Sequence, residues 1–280
     1  MALGTALTDA WTAIRENPII LVATFVFVLL VELFLLVGIF KPSLLLVGYL
    51  AYIVAIPGVY AGFIGMAYEA VETGSTSRRA FPRYARRYYV SMLVATLAAG
   101  LILAIIYRFV LVGLGSVLAG TITTHLITSV GILGLLLLLI VFSIIVIMGI
   151  KFYAASVVVD DLQGGFAGLS SFVLSAVAVR NNVRSVIGYG LLVSTLSVLI
   201  VTPGLLLYAF SIEFAPDGTA TVVSPVLMIL SFVVSLTVET VGLGFLYTLY
   251  VAYYVRLVRG SGGTPAEVIT AEPLGRETEA

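Results

Sequence analysis

The sequence predicts an all-α membrane protein: a bundle of six transmembrane helices, built as three units that each join a short interfacial helix to a transmembrane hairpin. Three observations carry this prediction. Hydrophobic residues make up 61% of the 280 residues and charged residues only 10%, where soluble domains average about 45–50% and about 25%. Six stretches are long enough to cross a bilayer core of about 30 Å, which takes about 20 apolar helical residues. Polar segments before the first, third and fifth stretches carry helical patterning of their own. With a mean hydropathy of +1.20 and no cysteine, the chain is excluded from the soluble globular, disordered and disulfide-stapled classes.

The first unit opens with residues 2–16. Leu3, Leu7, Ala10, Trp11 and Ile14 recur at helical spacing, opposite Thr5, Thr8, Asp9, Thr12 and Glu16. That pattern predicts a helix lying at the membrane surface, with the only Trp at headgroup depth. The spans follow at Pro18–Phe40, Leu44–Tyr68, Val90–Val112, Val130–Tyr153, Val186–Ile212 and Val226–Ala252. Lys41-Pro42-Ser43 closes the first, and Arg108 interrupts the outer end of the third. Residues 115–129 read as a loop or a short re-entrant helix. The first span is too long for a signal-peptide core, and residues 1–17 contain Asp9 and Glu16.

Charge sets the orientation. Twelve of the fourteen Lys and Arg residues fall on one side of the predicted spans, leaving only Lys41 and Arg108 opposite. Cytoplasmic loops are enriched in these residues. An even span number then places both termini in the cytoplasm of a plasma-membrane protein. Residues 1–258 form one integral membrane domain on this reading, and 259–280 a disordered cytoplasmic tail.

The second interfacial segment places Phe81, Tyr84 and Tyr88 on one side and Arg79, Arg83, Arg86 and Arg87 on the other, with Pro82 suited to a first helical turn. The third carries Phe166, Leu169, Val173 and Val177 opposite Ser171 and Ser175. Arg15-Glu16-Asn17 and Arg180-Asn181-Asn182 lead alike into spans one and five, which favours three repeats. A competing symmetry pairs the helix breaks Pro57-Gly58 and Pro203-Gly204, as in inverted three-plus-three transporters. The two Arg-x-Asn entries lie on one face, which inverted halves do not produce.

The stretch from Lys151 to Asp161, with Gly165-Phe166-Ala167, Ser170-Ser171-Phe172 and Arg180-Asn181-Asn182, resembles the membrane domain fused to some glycerophosphoryl diester phosphodiesterases. It is also similar to related uncharacterised prokaryotic, especially archaeal, membrane families. The resemblance implies a six-span membrane domain. The catalytic barrel of those fusions is absent here, so no phosphodiesterase activity is implied.

The remaining chemistry is sparse. Arg79, Arg83, Arg86 and Arg87 are placed to bind anionic headgroups on the cytoplasmic face, at about 1 kcal/mol each near the surface. Glu32, Arg108 and Glu239 are intramembrane ionisable residues. Glu32 and Arg108 lie at similar depth, while Glu239 has no second acid at its level and is expected to make a structural hydrogen bond. Asp160-Asp161 reads as a helix cap or a partner for Lys151, not a metal site. His125 stands among threonines with no cysteine or acid to complete a zinc site or a triad. Close helix packing is expected at Gly58, Gly62 and Gly65. No phosphate loop, nucleophile elbow or zincin motif occurs, so neither an enzyme nor a cofactor or metal is expected. Nucleic acid is not an expected partner; a protein partner or a second copy is compatible. Two function classes remain: a lipid-contacting structural or scaffolding protein, and a small transporter or channel using Glu32, Glu239 and the Pro-Gly helices.

Overall fold

The computed structural model describes residues 2–40, 42–123, 126–214 and 220–260. His125, Lys41 and the segment 261–280, the bulk of the expected tail, lie outside the described residues. The elements run α1 (Ala2–Glu16), α2 (Ile19–Phe40), α3 (Pro42–Thr73), α4 (Ala80–Thr123), α5 (Leu126–Gly149), α6 (Tyr153–Val159), α7 (Gly165–Asn181) and α8 (Val183–Ser211). A two-stranded ribbon, β1 (Ile212–Phe214) and β2 (Ala220–Val222), then leads to α9 (Pro225–Gly260). The ribbon is antiparallel, with Glu213 opposite Thr221; its few residues gave no alternation long enough to read.

Among the described residues, five helices are long and apolar enough to cross a membrane, or up to six when α1 and α2, bent by 88° at their junction, count as one span. Large apolar side chains point outward along them, Leu101 at 63%, Leu138 at 67% and Leu191 at 67% exposure. A surface of that kind needs a hydrocarbon solvent. These helices mark the chain as a multi-pass membrane protein.

The expected interfacial helices have three different fates. The first, α1, turns sharply into α2 at Asn17-Pro18, but its small residues Ala6 and Ala10 are fully buried and it packs on α9. Protein covers part of the face expected to meet lipid. Trp11 stays 60% exposed, edge-on to Phe245 of α9. The second does not exist as a separate helix. From Ala80 the chain runs as one helix through Thr123, without a break at Arg87-Tyr88 and on into the first part of the region 115–129, expected as a loop or a short re-entrant helix. The third, α7, is separate from α8, and its apolar stripe faces outward: Phe166 is 90% exposed. Its opposite face meets protein, with Ser171 and Ser175 fully buried.

Helix breaks at the Pro-Gly pairs are not found. Both α3 and α8 continue through Pro57 and Pro203. At Gly204 the missing side chain admits α9 instead: Ser231 Oγ donates to the Gly204 carbonyl at 2.9 Å, and a Cβ there would strike Ser235. The expected glycine packing is present on α3, where Gly62 and Gly65 receive the rings of Phe81 and Tyr84. The aromatic face of the arginine segment is therefore turned into the bundle.

Candidate functional site at the arginine-rich end

Acidic residues in the middle of α1 and at the ends of α3 and α6 meet arginines of α4 and α9. Asp9 pairs with Arg256 at 2.7 Å, Glu69 with Arg83 at 2.9 Å, and Glu72 with Arg259. Arg87 Nη2 reaches both Asp161 oxygens at 2.8 Å, while the Tyr88 hydroxyl donates to Asp161 Oδ1 at 2.5 Å. Each exposed pair contributes about 0–1 kcal/mol, so their main effect is positional. They fix α1, α3, α4, α9 and the α6–α7 loop into one end plate.

Asn17 completes the plate. Its Nδ2 donates to Ala13 O at 2.9 Å and Gly74 O at 3.1 Å, and its Oδ1 accepts the Thr76 N–H at 2.7 Å. The side chain is 5% exposed and staples the α1–α2 bend to the α3–α4 loop. Asn182 repeats part of this at the α7–α8 junction, donating to Ala178 O at 3.1 Å.

The segment from Lys151 to Asp161 is a structural hub. The helix stops at Gly149, and backbone groups freed inside a membrane protein need partners. The Tyr250 hydroxyl accepts the Ala155 N–H and donates to Lys151 O at 3.0 Å, and Ser175 Oγ accepts the Phe152 N–H at 2.9 Å. Phe152 is fully buried among Tyr189, Tyr250, Tyr253 and Tyr254. Asp161 closes α6 with a positive φ of 52°, and Leu162 N donates to Val157 O at 2.9 Å, a left-handed helix stop that Asp tolerates.

The two aspartates differ in environment. Asp160 accepts the Tyr254 hydroxyl at 2.7 Å; burial pushes its carboxyl up to about 6, against the pull of that bond. The Tyr88 hydrogen bond is the main influence holding Asp161 below the usual carboxylate range, aided by Gln163 and Arg87 against some desolvation. Neither pairs with Lys151, one of the two roles expected for them, and among the described residues no group of three or more metal-ligating side chains occurs.

The predicted headgroup ligands divide into two kinds. Arg83 and Arg87 are held by acids and lie over the rings of Tyr84 and Tyr88, 5.0 Å and 5.4 Å from the centroids. Arg79 and Arg86 are exposed, with no ion pair among the described residues. Sequence reasoning missed Asn17, Tyr88 and the acids Glu69 and Glu72 as partners, since only tertiary packing brings them to the arginines.

Deeper in the bundle, Glu32 and Arg108, which the sequence puts at similar depth, are carried by helices that do not pack on one another. The neighbours of α2 are α3 and α9, whereas α4 packs against α3, α5 and α7. Arg108 is exposed, about 42 Å along α4 from Ala80 at 1.5 Å per residue. Glu32 instead lies near enough to Glu239 for their charges to act on one another. The packing of α2 on α9, marked by the approach of Thr24 to Gly244, brings Glu32 towards the level of Glu239.

Residues 1–257 match a family described as a domain of unknown function, DUF7847. No curated protein matches the chain, and no solved structure does.

Proposed function

Because the chain belongs to the DUF7847 family, whose description assigns no activity, we propose a function from the arginine-rich end: a non-enzymatic, lipid-contacting scaffold. One observation carries the reading. The acids of the plate are engaged by Arg83, Arg87, Arg256 and Arg259, and Arg78, Arg79 and Arg86 remain exposed beside them. Exposed cations at the mouth of a membrane helix attract anionic headgroups. In this reading the protein crosses the plasma membrane six times, with the plate and both termini in the cytoplasm. Residues 1–258 are the membrane domain, 259–280 the tail, and the plate offers a rigid surface to a protein partner or second copy. The matched Asn17 and Asn182 junctions support interfacial-helix-plus-hairpin units, the interfacial helix of the second merged into α4. The resemblance to phosphodiesterase-fused membrane domains belongs to the same proposal.

The test is lipid enrichment around the purified protein. Replacing Arg79, Arg83, Arg86 and Arg87 by Gln should lower anionic-lipid enrichment severalfold, with Arg79 and Arg86 giving most of the effect, and high salt should mimic the loss. Native protein without anionic preference at low salt would reduce the arginines to topology signals.

A further inference from the structure

The helix α7 lies across the arginine-rich end, and both of its ends are pinned at one level. At its start, Ser91 Oγ of α4 donates to Gly164 O at 3.0 Å, and a side chain at Gly168 would strike the Ser91 carbonyl. Ser91 is four residues from Arg87, about 6 Å at 1.5 Å per residue. Just past its end, the Tyr253 hydroxyl of α9 donates to Ser185 Oγ at 2.7 Å. Tyr253 is three residues from Arg256, about 4.5 Å. Arg87 and Arg256 both belong to the end plate. The helix therefore runs along the plane of the plate, about one turn towards the spans, and does not cross the bilayer.

Its two faces differ in kind. The inner face is bonded to the bundle: Ser156 Oγ donates to Ser171 O at 3.1 Å, and Ser175 Oγ accepts the Phe152 N–H. These bonds fix the rotation of the helix, so Phe166, Leu169 and Val173 stay exposed on the outer face. That stripe is continuous with the lipid-facing surface of α4. A side chain at Gly165 would touch Val94, and Val90 and Leu97 beside it are exposed. From Leu162 to Val179 no residue is charged, so nothing in the helix before Arg180 draws it to an anionic headgroup.

We propose that α7 is an in-plane anchor whose ligand is the lipid hydrocarbon of the plate-side leaflet, met by Phe166, Leu169 and Val173 through apolar insertion and not through lipid charge. Amphipathic helices of this kind bury their apolar face about 5–10 Å into the headgroup–acyl boundary. Plate arginines mark the headgroup level, and the ends of α7 lie about 4.5–6 Å inside them, within that range. Water does not suit a row of bulky apolar side chains. A soluble protein would have to pass beneath the arginines, through the headgroups, to cover the stripe. The inference rests on the interfacial-helix units proposed above and adds the ligand one of them meets; it is independent of the exposed arginines.

The experiment places one tryptophan on the stripe. The full-length chain with Trp11→Phe, which removes the only native Trp, and with either Phe166→Trp or Val173→Trp is reconstituted in phosphatidylcholine vesicles. Both sites are exposed, so the fold accommodates either ring. Phosphatidylcholine brominated near the carbonyl end of its chains should quench both severalfold more than aqueous acrylamide does. The two should respond alike, because an in-plane helix holds them at one depth, whereas a crossing helix would separate them by about 10 Å. Added phosphatidylglycerol, or about 0.5 M salt to screen surface charges, should change neither. Arg79→Gln with Arg86→Gln should also leave the quenching unchanged, so this contact and the arginine surface fail independently. Acrylamide quenching equal to that of Ser77→Trp, in the exposed α3–α4 loop, would put the stripe in water and overturn the proposal. Protection from both quenchers, the mark of a covering protein or second copy, overturns it too, as does lipid quenching that disappears at high salt.

Discussion

Asp160 and Asp161 are neighbours in sequence, yet their environments push them in opposite directions. Burial raises Asp160 to about 6 from an ordinary 3.8, so the folded state binds its proton more tightly than the unfolded chain. Its stabilising contribution is complete below about 3.8 and is lost as pH rises through about 6. Asp161 is lowered, so its contribution is present above the ordinary carboxylate value and is lost as pH falls below it. Asp160→Asn keeps an oxygen to accept the Tyr254 hydroxyl while removing the buried charge. The substitution should leave thermal stability unchanged near pH 3 and raise it near pH 8, by on the order of 1–3 kcal/mol. A pH-independent change of the midpoint would remove Asp160 as the titrating group.

The α3–α4 hairpin shows which packing is decided by absent side chains. Tyr84 stacks on Tyr88, 6.0 Å between centroids, lies under the Arg83 guanidinium, and fills the space where a Gly65 side chain would be. Alanine in a helix is worth about 0.5–1 kcal/mol over glycine, whereas overpacking a fixed ring costs about 1–3 kcal/mol. Gly65→Ala should therefore destabilise by about 1–2 kcal/mol, while Gly100→Ala, with open space around it, should be neutral or stabilising; denaturation midpoints in detergent check both. The glycine positions were legible because small residues at i, i+4 recur in membrane helices. The end of α4 was not. Phe81, Tyr84 and Tyr88 opposite four arginines match an interfacial helix in pattern, and only the glycine face of α3 shows that the rings are buried in protein. The same ambiguity hid the serine face of α7. In hydrocarbon an apolar stripe points outward, so alternation of polar and apolar residues does not distinguish a water-facing surface from a protein-facing one.

At the scale of the whole molecule, the first and last long helices carry the deepest acids. Apolar length and charge asymmetry made the helices legible, but not their neighbours, so Glu32 was matched by depth to Arg108 when packing gives it Glu239. Both glutamates are half-buried, and their charges act on one another across the α2–α9 contact. Two ionised carboxylates at close range repel, and an ionised acid within a membrane costs several kcal/mol unless it is paired, protonated or wet. Removing the charge of one of the two relieves the repulsion and one of the desolvation costs. An amide keeps the shape of the carboxyl group and carries no charge. Glu239→Gln should therefore leave the melting temperature equal to or above that of the native chain. Proteoliposomes of native protein and of Glu239→Gln should show the same proton permeability. A proton-coupled flux present in the native protein and abolished by Glu239→Gln, with thermal stability intact, would give these acids to transport and displace the scaffold reading.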